Sequence, residues 1–136
     1  MKIIREDMRI NTRNRSQMID ITRQVGGIVS SSGITNGDVI VYCPHTTAAI
    51  TINENADPSV QHDVLLTLEK LIPQNLSGYR HSEGNSDGHC KSSIIGCSEQ
   101  IMIEDKSLVL GTWQGIYFCE FDGPRSRRVY IQIRGE

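Results

Sequence analysis

QIMIEDKSLVLGTWQGIYFCEFDGPRSRRVYIQI, residues 100–133, decides the fold class. β-rich runs at 100–103, 108–110, 115–120 and 128–133 follow one another, separated only by Asp105-Lys106, by glycines and by Asp122-Gly123-Pro124. Connections that short suit hairpins, so this half of the chain is expected to be antiparallel, with a further strand at 92–95 just before it. Moving outward, the longest stretch with no periodic pattern spans residues 73–89 and is rich in Ser, Gly, Asn and His. Loops of that length are often functional. Asp57-Pro58 opens the clearest helix: an N-cap, a proline at the first helical position, then Val60, Val64, Leu65, Leu68, Leu71 and Ile72 at helical spacing until Pro73. Strands are expected at 3–10, at 17–21, at 39–43 up to Pro44, and from Ala48 through Ile52, which would deliver Asn53, Glu54 and Asn55 at its end. A second, shorter helix starts near Asp20 or Thr22, carries Val25, Ile28 and Val29, and stops at Gly33 despite Gly26-Gly27. Strands gathered at one end with two main helices give α+β, not a doubly wound parallel sheet.

With 136 residues, 38% hydrophobic, the chain suits one domain, 1–136, that folds without staples. A net charge of -2 gives no global pull toward nucleic acid or anionic lipid. Cys43, Cys90, Cys97 and Cys119 form neither a CxxC pair nor paired zinc knuckles, and are expected as reduced thiols in a cytoplasmic protein. Cys90, directly after His89 in an expected strand, is assigned to the core. The start of the chain turns acidic where a signal peptide is apolar, and no run of 18 apolar residues occurs, so secretion and membrane spanning are both disfavoured.

Three of the four histidines stand among small polar or acidic residues: Pro44-His45-Thr46-Thr47, Arg80-His81-Ser82-Glu83 and Asp87-Gly88-His89. Imidazole both ligates metals and moves protons near neutral pH, and a zinc-like site needs ligands from separated segments, so the three are expected to converge. Thr46 and Thr47 lie between two strands, where hydroxyls beside free backbone N–H groups hold an anion or, equally, bond locally. Glu54 has no structural reason to be charged at a strand end, whereas Asp57 is what a helix start calls for. Trp113, between two glycines, is either a pocket wall or a core residue. Arg125, Arg127 and Arg128 on a hairpin turn suit phosphate or plain solvent, and Glu120 is expected on the polar face of its strand. His62, within the longer helix, is set aside.

Taken together, Pro44-His45-Thr46-Thr47-Ala48-Ala49, Asn53-Glu54-Asn55-Ala56-Asp57-Pro58, Asn85-Ser86-Asp87-Gly88-His89, Gly111-Thr112-Trp113-Gln114-Gly115-Ile116 and Glu120-Phe121-Asp122-Gly123-Pro124-Arg125 closely resemble the YjbQ-like family, also labelled secondary thiamine-phosphate synthase. The resemblance spans nearly the whole chain. It implies a compact α+β subunit of antiparallel sheets with β-sandwich character, assembled as a homotrimer. It further implies an enzyme joining a hydroxymethyl-pyrimidine diphosphate to a thiazole phosphate with release of pyrophosphate. Catalytic roles would then fall to His45, Glu54, His89 and Glu120, and substrate or phosphate contacts to Thr46, Thr47, Trp113, Gln114 and Arg125. A divalent cation, zinc or magnesium, would sit on His45, His81 and His89. The dedicated synthase is a TIM barrel of about 250 residues, so such activity here would be an independent solution. The alternative from another class is a noncatalytic trimer that holds a metal or small molecule without turnover. Gly88 and Cys90 depart from the alanine and aliphatic residue of many relatives, which bears on packing around His89.

Overall fold

The alternating segments close into two antiparallel sheets in a computed structural model that describes residues 1–136. The larger sheet runs β1 (Lys2–Asn11), β8 (Ser126–Gly135), β3 (Gly37–Tyr42), β5 (Ser98–Glu104), β6 (Ser107–Leu108), and the smaller runs β2 (Gln17–Asp20), β7 (Gln114–Glu120), β4 (Ala48–Glu54). Alternation along each strand gives the layers. Val39 and Val41, Ile101 and Ile103, and Val129, Ile131 and Ile133 point inward from the larger sheet onto Ile50, Ile116 and Phe118 of the smaller, and α1 (Thr22–Ser31) adds Val25 and Val29 to the same core. The odd-numbered neighbours Ala49, Tyr117 and Cys119 face the other way and make a second cluster with Phe121, covered by Leu65 and Leu68 of α2 (Pro58–Leu71) and by Ile95. The expected caps hold: Asp57 accepts from the Ser59 backbone N–H at 2.9 Å and Pro58 opens α2.

Residues 86–95 correct the sequence reading. They form a third helix, α3 (Ser86–Ile95), where a loop end and a strand at 92–95 were expected. Its one glycine and three serines carry little helical propensity, and it has no apolar stripe, so nothing periodic announces it. Tertiary contacts hold it instead. A Cβ at Gly88 would lie 3.0 Å from the Phe121 carbonyl oxygen and 3.4 Å from the Thr47 side chain, so the helix backbone rests directly on the β3–β4 and β7–β8 connections. Asp87 and Lys91, four residues apart, are 0% and 1% exposed and 2.9 Å from each other. Arg15 reaches Asp87 through two nitrogens, at 2.8 and 3.0 Å, and Lys91 also meets Glu69 of α2 at 2.9 Å. Because the segment is helical, Cys90 points to solvent rather than into the core.

Burial alone would push the Asp87 carboxyl up, but the hydrogen bonds and charges of Arg15 and Lys91 outweigh it and hold the group at about 2. A depressed carboxyl stabilises the fold above its ordinary value of 3.8 and loses that contribution as pH falls toward 2. Acid unfolding should therefore begin with detachment of α3 below pH 4, seen as early amide exchange over 86–95. Lys91→Met, which leaves a buried carboxylate with one partner fewer, should lower stability by about 3 kcal/mol in chemical denaturation.

Candidate functional site

The polar end of the sandwich is built on Glu120. Its strand alternates so that Glu120 falls on the inner face with Ile116 and Phe118, and it is 0% exposed, which corrects its expected place on a polar face. Both carboxylate oxygens are engaged. Oε1 accepts from Thr12 Oγ1 and from Arg127 Nε, each at 2.8 Å, while Oε2 accepts from the Asp122 backbone N–H at 3.0 Å and from Arg127 Nη2. Arg127, buried on the facing strand β8, passes the connection on to Thr47 Oγ1 at 2.9 Å. Thr12 in turn accepts from the Arg125 backbone N–H at 2.8 Å. One buried carboxylate thus fixes the N-terminal strand end, the β3–β4 connection and the β7–β8 turn. The turn itself needs Gly123, where a Cβ would stand 2.2 Å from the Asn14 carbonyl oxygen.

Around this anchor opens a cleft of two adjoining hollows, about 320 and 380 Å³, both bordered by His45, Thr46 and His89. Sizes of that order admit a small ligand. Glu83, Asn85, Asp122 and Arg125 line the first, and Ser92, Ser93 and Cys97 of the helix end line the second. The His81 ring meets the His89 ring edge to face with centroids 5.4 Å apart, while His45 and His89 share the lining of both hollows and His81 lies outside them. Glu83 lies 3.6 Å from His81 Nε2. Arg125 is bound to Asp122 through Nε and Nη2 and remains half exposed.

His45 has a fixed polarity. The Arg128 backbone N–H donates to its Nε2 at 2.9 Å, so the proton of the neutral ring sits on Nδ1, which has no protein acceptor. Burial, then the Arg127 cation, hold its pKa below the ordinary 6.5, against smaller upward pulls from the Arg128 backbone contact and from Glu120. At neutral pH the ring is an uncharged donor. A metal at Nε2 would have to displace the Arg128 N–H, and no three His, Cys, Asp or Glu side chains are set as a ready ligand cage. The donor set as arranged therefore does not fit a resident cation on all three histidines. The buried thiols Cys43 and Cys119 are pushed up to about 11 and about 12, chiefly by burial, and stay protonated.

Three expected site residues, Glu54, Trp113 and Gln114, stand elsewhere. Strand β4 leaves the cleft at Ala48 and ends at Glu54, six residues on and roughly 20 Å away at about 3.3 Å per residue. There Glu54 pairs in register with Gln114, Asn55 takes the Trp113 carbonyl at 2.9 Å, Gln114 Oε1 accepts from the Gly111 N–H at 2.8 Å, and Trp113 is 63% exposed. Asp57 is spent on its cap. Two groups that the sequence places in one list are thus at opposite ends of one strand. Conversely, Asn85 and Asp122 were not singled out as site residues, their only individual signal being proximity to His89 and Arg125, and Arg127, expected on an exposed turn, is instead buried against Glu120.

The family model for the UPF0047 protein YjbQ-like group matches residues 6–136. The chain belongs to this family. The UPF0047 protein YugU of Bacillus subtilis is 52% identical over 128 residues, covering 94% of this chain and 97% of that protein. A UPF0047 protein of Methanocaldococcus jannaschii is 53% identical over 127 residues, 93% of this chain and 91% of its own. Among crystal structures, a YjbQ/UPF0047 protein of Clostridium acetobutylicum superposes with a TM-score of 0.92 at 53% identity, covering 95% of this chain and 99% of that one. A protein of Sulfolobus solfataricus, described as YbjQ-like and of unknown function, gives 0.95 at 33% identity over 99% of both chains. The α+β subunit of antiparallel sheets is thereby that of the YjbQ-like family, with three helices rather than two.

Glu120→Gln keeps the shape of the anchor and removes its charge. Leaving Arg127 buried without a counter-ion should cost about 3–5 kcal/mol in an unfolding titration. A loss below about 1 kcal/mol would show that the pair does not hold the sheets together.

Proposed function

We propose that the cleft binds a small phosphorylated molecule and that His45 and His89 handle protons during its conversion. One observation carries the reading: a neutral His45 whose Nε2 is occupied from the protein side and whose Nδ1 N–H is free, set beside Arg125 and Thr46 on one polar cleft. Donors without a protein acceptor suit phosphate oxygens, and guanidinium suits them bidentately. Glu120 serves from behind, holding Arg127 and the Arg125 turn, and Thr47 stands between anchor and ligand.

Among reactions open to such a substrate, the family resemblance points to a thiamine-phosphate synthase-like transfer. The thiazole nitrogen would attack the pyrimidine methylene carbon while the C–O bond to the diphosphate breaks and its electron pair leaves with pyrophosphate. His45 and Arg125 would donate hydrogen bonds to the departing diphosphate, and His89, paired edge-on with His81, would act as the general acid that gives a proton to the pyrophosphate oxygen receiving the C–O electron pair. Glu54, Trp113 and Gln114 take no part from within the same subunit. With both substrates present, the protein should release pyrophosphate, and His89→Ala and Arg125→Ala should each reduce the rate by about tenfold to a thousandfold. Tight phosphate-ester binding with background turnover in every form would instead assign a noncatalytic binding protein.

We further propose a homotrimer. The outer face of the larger sheet leaves Ile3 and Met102 more than 60% exposed at the level of the Arg134–Asp38 pair and, four residues along the strands, carries a stacked Tyr42–Tyr130 pair with Arg5 4.6 Å over Tyr130, exposed side chains of the kind that subunits cover. Light scattering should return three times 15.2 kDa. Dialysis against a chelator should leave that mass and the melting temperature unchanged, since protein groups alone tie the cleft; a drop of several degrees would reveal a structural ion.

A further inference from the structure

Asn85 stands at the start of α3 on the wall of the cleft and is 5% exposed. Its Nδ2 donates to Asp122 Oδ2 at 2.7 Å, and the same oxygen accepts from Arg125 Nη2 at 3.0 Å. An ionised Asp122 can only accept, so the amide cannot be turned the other way round without setting two oxygens against each other. Its orientation is decided. That leaves Asn85 Oδ1 as the single buried side-chain polar atom in the molecule without a hydrogen-bond partner. It does not cap its own helix, whose first turn has no side-chain cap. A buried acceptor left unmade costs as much as a hydrogen bond is worth, and at a cleft wall a ligand is the natural donor.

We infer that Asn85 is a specificity residue, and that the ligand is a phosphate ester carrying an O–H or N–H group that donates to Asn85 Oδ1. This rests on the phosphate reading of the cleft and narrows it. Arg125 and His45 offer donors suited to the anion, Thr46 offers a hydroxyl, and Asn85 Oδ1 offers an acceptor on the same wall as the Glu83 and Asp122 carboxylates, so both needs meet in one molecule with an anionic end and a donor end. A site built to accept a hydrogen bond rejects the analogue that lacks it, because the buried oxygen then stays unpaired.

Calorimetric titration of the whole protein with inorganic phosphate, with ω-hydroxyalkyl phosphates of two to four carbons and with the alkyl phosphates of the same length tests both layers separately. The expected result is that inorganic phosphate binds and that at least one hydroxyalkyl ester binds about threefold to tenfold more tightly than its alkyl counterpart. Asn85→Ala, with its fold checked by its melting temperature, should bind the hydroxyalkyl and alkyl esters alike. The comparison on the wild-type protein decides the matter even if that variant fails to fold. Equal affinity for every wild-type ester pair, or a preference that survives in a folded Asn85→Ala, overturns the assignment while leaving the phosphate reading intact. Absence of binding by phosphate and all esters overturns both.

Discussion

A carboxylate and a guanidinium shut between two sheets organise this molecule. Glu120 and Arg127 face each other from β7 and β8, where the apolar rows of both strands run out; the carboxylate is fully buried and the guanidinium shows only an edge to the cleft. Such a pair costs much desolvation, which is offset here by the hydrogen bonds of Thr12 and the Asp122 N–H to the carboxylate and of Arg127 Nη2 to Thr47. The result is a polar plug at one end of an otherwise hydrocarbon sandwich. Everything that borders the cleft is attached to that plug directly or through one intermediate.

The second support is electrostatic too. Helix α3 has almost no hydrophobic grip of its own. It is seated by a dry Asp87–Lys91 pair that Arg15 and Glu69 extend to neighbouring elements, and by the close approach that Gly88 permits. His89 therefore rides on a helix whose position is set by ionic ties rather than by volume filling. His45, by contrast, is positioned by a single backbone donor that also dictates which nitrogen bears the proton. The two imidazoles reach one cleft by different physical routes.

Strands and the two long-pattern helices were legible because period-two and helical spacing, a capping Asp57-Pro58 and glycine turns are local signals. That His45 and His89 border one cleft, with His81 against His89, was legible only as an expectation from residue type. Helix α3 was not, since its stability is tertiary and its composition mimics a loop. Glu120 was misplaced for a related reason: alternation was read correctly, but a charge in an inward position signals a buried pair only once Arg127 is known to face it. The separation of Glu54, Trp113 and Gln114 from the histidines was also hidden, because motif lists carry no distance while a strand has a fixed length.

That fixed length has a further implication. Strand β4 acts as a rigid spacer with chemistry at both tips, and hydrogen bonding to β7 along its whole length prevents it from shortening. No phosphate ester of ordinary size can touch both ends of one subunit at once. Occupancy at one tip is mechanically invisible to the other within a single copy, so any cooperation between them has to be an intermolecular affair.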